Sequence, residues 1–170
     1  MKKNLVLTGM MGSGKSTVGK FLSQKLKMNF ADTDEIIEKK FSLKINEIFE
    51  QKGEKFFRDT ERSEILKLSE GKDFVISLGG GSFMDDTIRQ KVKETSVSFW
   101  LDLNVDKIIE RTSYNQKRPL INKMSKQGLI ELYEERKEVY SKADFKIDCN
   151  LKNKDEIVEQ IKNIYENNKN

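Results

Sequence analysis

The sequence predicts an α/β fold, a five-stranded parallel sheet flanked by helices in a three-layer α/β/α sandwich. Two observations carry that prediction. Short apolar runs of strand length alternate with longer segments whose apolar residues recur at helical spacing, the pattern of a parallel sheet covered on both faces. Glycines cluster where two of the strand-like runs end, at Gly9 to Gly14 and at Gly79 to Gly81. In such sheets ligands bind beyond the carboxyl ends of the strands.

Each element follows in order. Asn4 to Thr8 is a buried strand, and after Lys15 the residues Val18, Phe21, Leu22 and Leu26 keep helical spacing. A short strand around Asn29 to Ala31 leads into "DTDEIIEKKF", and helical patterns run through Ile45 to Gln51 and Glu54 to Ser69, punctuated by Gly53 and Gly71. "DFVISLGGG" is a strand ending in glycines, followed by a helix near Thr87 to Thr95 and the strand "SVSFWL". Asn104 can cap "VDKIIERT", and Ser125 can cap the helix that ends near Tyr140. "DFKID" is the last strand. Asn153, with Glu156 three residues on, opens a final amphipathic helix bearing Ile157, Ile161 and Ile164.

Composition narrows the chemistry. A chain of 170 residues suits one domain with one sizeable core. Charged residues make up 35% and apolar ones 36%, and no apolar run approaches the roughly 18 residues of a membrane span. The start "MKKNLVL" lacks a long apolar region before its glycines, so the expectation is a cytoplasmic protein without a membrane partner. Cys149 is the only cysteine and histidine is absent. That removes an intramolecular disulfide, a Cys/His zinc site and any histidine-activated nucleophile, leaving acid–base work to carboxylates or lysine. The net charge of +4 is spread along the chain with no basic block, which favours small anions over nucleic acid. Against 32 basic residues in all, arginine occurs only at positions 58, 62, 89, 111, 118 and 136. Lysine is therefore the default surface cation, and each arginine raises the question of a planar, bidentate partner.

The stretch "LVLTGMMGSGKSTVGKFL" satisfies G-x-x-x-x-G-K-[ST] between a strand and a helix. Its glycines let successive N–H groups turn inward, and the helix adds the positive end of its dipole, so the segment is built for a polyphosphate. Gly12, Ser13 and Gly14 form the cradle, Lys15 reaches the β and γ phosphates, Ser16 ligates Mg²⁺, and Thr17 adds a contact from the first helical turn.

Other motifs select among phosphate chemistries. The D-x-x-G and N-K-x-D patterns of guanine-nucleotide switches do not occur, and "FVISLGGG" ends without the acidic residue of a Walker B strand. Asp32 and Asp34, alternate residues at the end of an extended segment, can face one side. Asp32 suits the Mg²⁺ shell and Asp34 the acceptor hydroxyl, as orienter and proton acceptor, while a helix N-cap pair is the structural alternative.

From the P-loop to the last strand the chain resembles the shikimate kinases. The glycine loop, D-x-D, the arginine of "KFFRDTE", "GGG", "RPL" and a late helix arginine occur here in the family's order. The resemblance implies a single P-loop kinase domain, with a core over about 1–31, 72–111 and 126–170, a substrate segment over about 32–71, and a mobile lid over about 112–125. It implies ATP-dependent phosphorylation of the 3-hydroxyl of shikimate, giving shikimate 3-phosphate and ADP on the route to chorismate and the aromatic amino acids, with Mg²⁺ as cofactor. Carried over residue by residue, Asp34, Arg58, Gly79, Gly80, Gly81 and Arg136 bind the substrate, with Phe49 and Phe57 as apolar walls. Glu61, one turn beyond Arg58, can orient it. Ser77 resembles a hydroxyl that assists the metal through water.

"SYNQKRPLINKMS" holds the only proline and is polar for its length, as a closing loop would be. Within it Arg118 matches the lid arginine that stabilises the transferred phosphoryl group, and Arg111 resembles the arginine that stacks on adenine. After "FKID" the chain reads "CNLKNKDE" where the family often has a polar or basic turn against the base, so residues 150–153 receive no assignment. ATP, ADP and shikimate are the expected partners of a monomer. Alternatives are another small P-loop kinase, such as one for gluconate, or a nucleotide-dependent binding module without turnover.

Overall fold

The computed structural model describes residues 3–113 and 124–168. Five parallel strands form one sheet: β1 (Asn4–Thr8), β2 (Asn29–Asp32), β3 (Phe74–Ser77), β4 (Ser96–Asp102) and β5 (Phe145–Asp148), in the order β2-β3-β1-β4-β5. Every residue of β1 and β4 is buried, as strands covered on both faces must be. The α/β class and the five-stranded parallel sheet are therefore as the sequence implies.

The helices are α1 (Lys15–Leu26), α2 (Thr33–Phe41), α3 (Ile45–Lys52), α4 (Glu54–Glu70), α5 (Asp86–Thr95), α6 (Val105–Ser113), α7 (Lys126–Tyr140) and α8 (Lys154–Asn168). Local chemistry starts several of them. Asn104 Oδ1 accepts from Lys107 N at 2.9 Å and Ser125 Oγ from Gly128 N at 3.0 Å. Asn153 and Glu156 exchange backbone-to-side-chain bonds at 3.0 and 2.7 Å, the capping box foreseen for α8. A short 3₁₀ turn, Ser82–Met84, follows the triple glycine and has no counterpart in the sequence expectations.

Among the described residues two apolar cores result. The larger surrounds the sheet and includes Leu5, Leu7, Leu22, Ile76, Phe99, Tyr140 and Ile161. The smaller joins Ile37, Ile48 and Phe57 of α2, α3 and α4, within the segment 32–71. No helix among the described residues is long and apolar enough to cross a membrane.

The register sets the site. Asp32 pairs with Ser77, and Ser77 with Leu7, so the ends of β2, β3 and β1 lie in one row. The D-x-D segment starts at the first, the glycine triplet follows two residues after the second, and the P-loop two residues after the third. Motifs far apart in sequence leave the sheet side by side at its carboxyl edge.

Candidate active site

The P-loop turns out of β1 through three residues of positive φ, Gly9 (140°), Gly12 (81°) and Gly14 (96°). At Gly9 a Cβ would also stand 2.7 Å from the Leu101 carbonyl oxygen, so the turn demands glycine on both counts. Helix α1 then starts with no side-chain cap and no acidic residue in its first turn. Its neighbours differ: α2 is capped by Asp32 and α5 by Asp85, each with acidic residues following. The N–H groups of α1 are thus left for an anion. Lys15 is buried, and its Nζ donates to Gly9 O and Met10 O at 2.8 Å each, inside the curve of the loop. Ser13 is buried with its Oγ unpartnered, and Thr17 is exposed on the first turn.

Asp32 does two jobs. Its Oδ1 caps α2, accepting from Asp34 N at 3.0 Å and Glu35 N at 3.2 Å. Its Oδ2 accepts from Ser16 Oγ at 2.5 Å. Of the expected N-cap pair, Asp32 alone caps α2, and its second oxygen meets the Ser16 hydroxyl. Mg²⁺ is usually held by one or two protein oxygens together with phosphate oxygens and water, and the Ser16–Asp32 pair beside the phosphate cradle fits that demand.

The glycine triplet is the hub of the second half of the site. A Cβ at Gly79 would stand 2.7 Å from Asp34 Oδ1 and 2.9 Å from Glu61 Oε1. At Gly81 it would lie 2.8 Å from both Arg58 Nη atoms. At Gly80 it would be 3.2 Å from the backbone N of Met11 in the P-loop and 3.6 Å from Arg136 Nη1. Two acids and two arginines thus close on three successive positions, and a side chain at Gly79 or Gly81 would displace Asp34, Glu61 or Arg58. The triplet is itself pinned: Gly79 N donates to Thr33 Oγ1 at 3.0 Å, and Tyr140 OH donates to Gly80 O at 2.6 Å.

Charges around the hub are arranged unequally. Glu61 is 2% exposed, accepting from Arg58 Nη1 at 2.8 Å and Ser82 Oγ at 2.6 Å. The Arg58 guanidinium also lies over the Phe57 and Phe49 rings, at 5.2 and 5.9 Å. Phe57 is buried in the smaller core, so it serves as the backing of Arg58. Arg136 Nη1 is buried with no hydrogen-bond partner, beside the Tyr140 phenol. Burial, then the Asp32 and Glu61 carboxylates, raises Asp34 to about 6, with Lys15 opposing. A carboxylate held there is ionised at neutral pH yet basic enough to accept a proton.

The remaining expected residues fall as follows. Ser77 is buried at the end of β3. Arg111 is exposed on α6, and a Cβ at Gly14 would be 3.8 Å from its Nη1, which sets the guanidinium over the start of α1. Asn150 Oδ1 accepts from Asn104 N at 2.9 Å, so that turn braces the start of α6. Arg118 and most of the expected lid lie outside the described residues. Thr33, Ser82 and Tyr140 support the glycine triplet without any motif in the sequence that marks them for it. The nearest local signal is the place of Thr33 inside D-T-D.

The model of the family described as shikimate kinase matches residues 11–166. The shikimate kinase of a Sulfurihydrogenibium species is 42% identical over 159 residues, 94% of this chain and 95% of that protein. The one from Persephonella marina is also 42% identical, covering 94% and 96%. Among solved structures, shikimate kinase from Acinetobacter baumannii in complex with shikimate aligns with a TM-score of 0.91 at 31% identity, covering 99% of this chain and 96% of that one. A gluconokinase from Sinorhizobium meliloti aligns at 0.65 and 16% identity, over 99% and 94%, which shows a shared fold alone.

Proposed function

This chain belongs to the shikimate kinase family, and from that premise we propose which of its residues carry each part of the reaction. The protein phosphorylates shikimate with ATP, giving shikimate 3-phosphate and ADP. Gly12, Ser13, Gly14, Lys15, Ser16 and Thr17 hold the triphosphate, with Arg111 against the adenine and Arg118 assigned to the transferred phosphoryl group. Ser16 and Asp32 hold Mg²⁺, which when bound supplies positive charge against the phosphate oxygens. Arg58 and Arg136 form a forked clamp on the shikimate carboxylate. Glu61 holds Arg58 to that task.

Asp34 orients the 3-hydroxyl and accepts its proton as the oxygen attacks phosphorus. The backbone of Gly79 to Gly81 lies against the ring because no side chain intervenes. Phosphoryl transfer asks for positioning and charge neutralisation more than covalent catalysis, so lack of histidine is no obstacle.

One observation supports this assignment above the others. Asp34, Arg58 and Arg136 come from three helices to one glycine triplet whose middle residue abuts the P-loop at Met11. An acceptor clamped by its carboxylate there presents a hydroxyl to the donor phosphate. A monomer in the cytoplasm is the setting we propose. The exposed large apolar side chains among the described residues, Phe21, Phe56 and Leu151, lie on α1, α4 and the turn after β5.

The test is release of ADP from Mg·ATP with shikimate, gluconate, a nucleoside monophosphate or no acceptor. ADP release specific to shikimate is expected. Equal release with gluconate would reassign the clamp to another sugar acid, and equal release without acceptor would leave the pocket no role in turnover.

A further inference from the structure

Arg136 has its Nη1 buried and without a hydrogen bond among the described residues, and its polar neighbour on α7 is the Tyr140 phenol. Leu129 and Tyr140 of that helix are buried, and Ile130, Leu132, Tyr133 and Val139 pack partly buried against the larger core. That packing fixes which face of α7 meets the core, and polar contacts on the same face set where the Arg136 guanidinium lies.

Two tyrosines bracket Arg136 on one helical face, at the positions three before and four after it. Tyr140 OH donates to Gly80 O, which ties the end of α7 to the glycine triplet. Tyr133 OH donates to Asp102 Oδ1 at 2.8 Å, which ties the middle of α7 to the end of β4. Asp102 is 8% exposed, and its Oδ2 takes Lys146 Nζ of β5 at 2.8 Å. Lys146 lies over the Trp100 ring at 4.6 Å, and Trp100 packs on Tyr140 with ring centroids 6.0 Å apart. Trp100 Cδ1 in turn faces the Cβ position of Gly9 at 3.4 Å. The contacts form a closed circuit from the P-loop through β4 to both sides of Arg136.

We infer that Tyr133, acting through Asp102, is a positioning residue for Arg136 and sets the affinity for the shikimate carboxylate; this rests on Arg136 being half of the carboxylate clamp. Burial and the Asp102 carboxylate push the Tyr133 phenol far above its ordinary range, so it remains a donor at every working pH. A hydrogen bond to a buried carboxylate belongs to the stronger class and is directional, which suits it to holding one rotation of a helix already packed on the core.

The experiment compares wild type with Tyr133→Phe, Arg136→Ala and the double variant, measuring kcat/KM for shikimate, KM for ATP and melting temperature. Tyr133→Phe is expected to lower kcat/KM for shikimate about five- to tenfold, with KM for ATP changed less than about twofold. In the Arg136→Ala background the same substitution should cost less than about twofold, because the group it positions is gone. Asp102→Asn, which keeps an acceptor for Tyr133, should stay within about threefold of wild type.

Equal effects of Tyr133→Phe on shikimate and ATP, a fall in melting temperature alone, or a full loss repeated in the Arg136→Ala background would each overturn the inference. If Arg136→Ala itself left kcat/KM for shikimate unchanged, the clamp would fail instead.

Discussion

Asp34→Asn is expected to lower kcat by about 10²–10⁴-fold and to make the protein more stable. The first half follows from losing the proton acceptor while the carboxylate clamp stays intact, so shikimate affinity should change little. The second follows from the environment of Asp34. Burial and the Asp32 and Glu61 carboxylates raise it from 3.8 to about 6. The folded protein therefore binds this proton more tightly than the unfolded chain, and stability is lost as pH rises from about 4 to about 6, the full penalty remaining above that. At pH 7 the penalty is on the order of 2–3 kcal/mol, and a neutral amide is relieved of most of it. A rise of several degrees in melting temperature is the corresponding observation. In wild type, kcat/KM for shikimate should fall below about pH 6 as Asp34 takes up its proton, and the residual activity of Asp34→Asn should lack that limb. A flat wild-type profile down to pH 5, or near-normal turnover in Asp34→Asn, would remove Asp34 from proton transfer.

Lys15→Ala should lower kcat by about 10²–10³-fold, the loss associated with one preorganised charge on a transferring group. Lys15 is 7% exposed and is directed into the P-loop by its bonds to the Gly9 and Met10 carbonyls. Bound triphosphate offers the ammonium group a far stronger partner than two neutral carbonyls. Shikimate affinity, measured by calorimetry without nucleotide, should remain within about threefold, because the clamp residues belong to other elements. Lys15→Met retains most of the apolar stem and should match Lys15→Ala in turnover, which separates lost charge from lost packing. Turnover within threefold of wild type in both variants would show that the loop holds phosphate without its lysine.

What could be read from the sequence was what local physics determines. The P-loop, the Asn104, Ser125 and Asn153 caps and the alternation of strands with helices depend on residues a few positions apart. The order of strands does not, because pairing of β1 with both β3 and β4 is a long-range outcome. Glu61 shows the same boundary inside the site. Its spacing from Arg58 was visible, but its second partner, Ser82, is 21 residues away, and nothing local marks a helical glutamate as 2% exposed. Asp32 was legible as either a cap or a metal ligand, and only the fold shows that one of its oxygens caps α2 while the other meets the Ser16 hydroxyl. Tyr133 carries no mark of its role in the sequence, since its partner Asp102 is 31 residues earlier.

The clamp on the substrate carboxylate is tested most directly by titrating shikimate into wild type, Arg58→Ala and Arg136→Ala in a calorimeter. Melting temperatures should be recorded alongside, because removing Arg58 leaves Glu61 buried without its cationic partner. The expected result is a loss of at least about 30-fold in affinity for each variant, roughly 2 kcal/mol per arginine. Wild-type affinity in both would contradict the placement of shikimate between these arginines at Gly79 to Gly81.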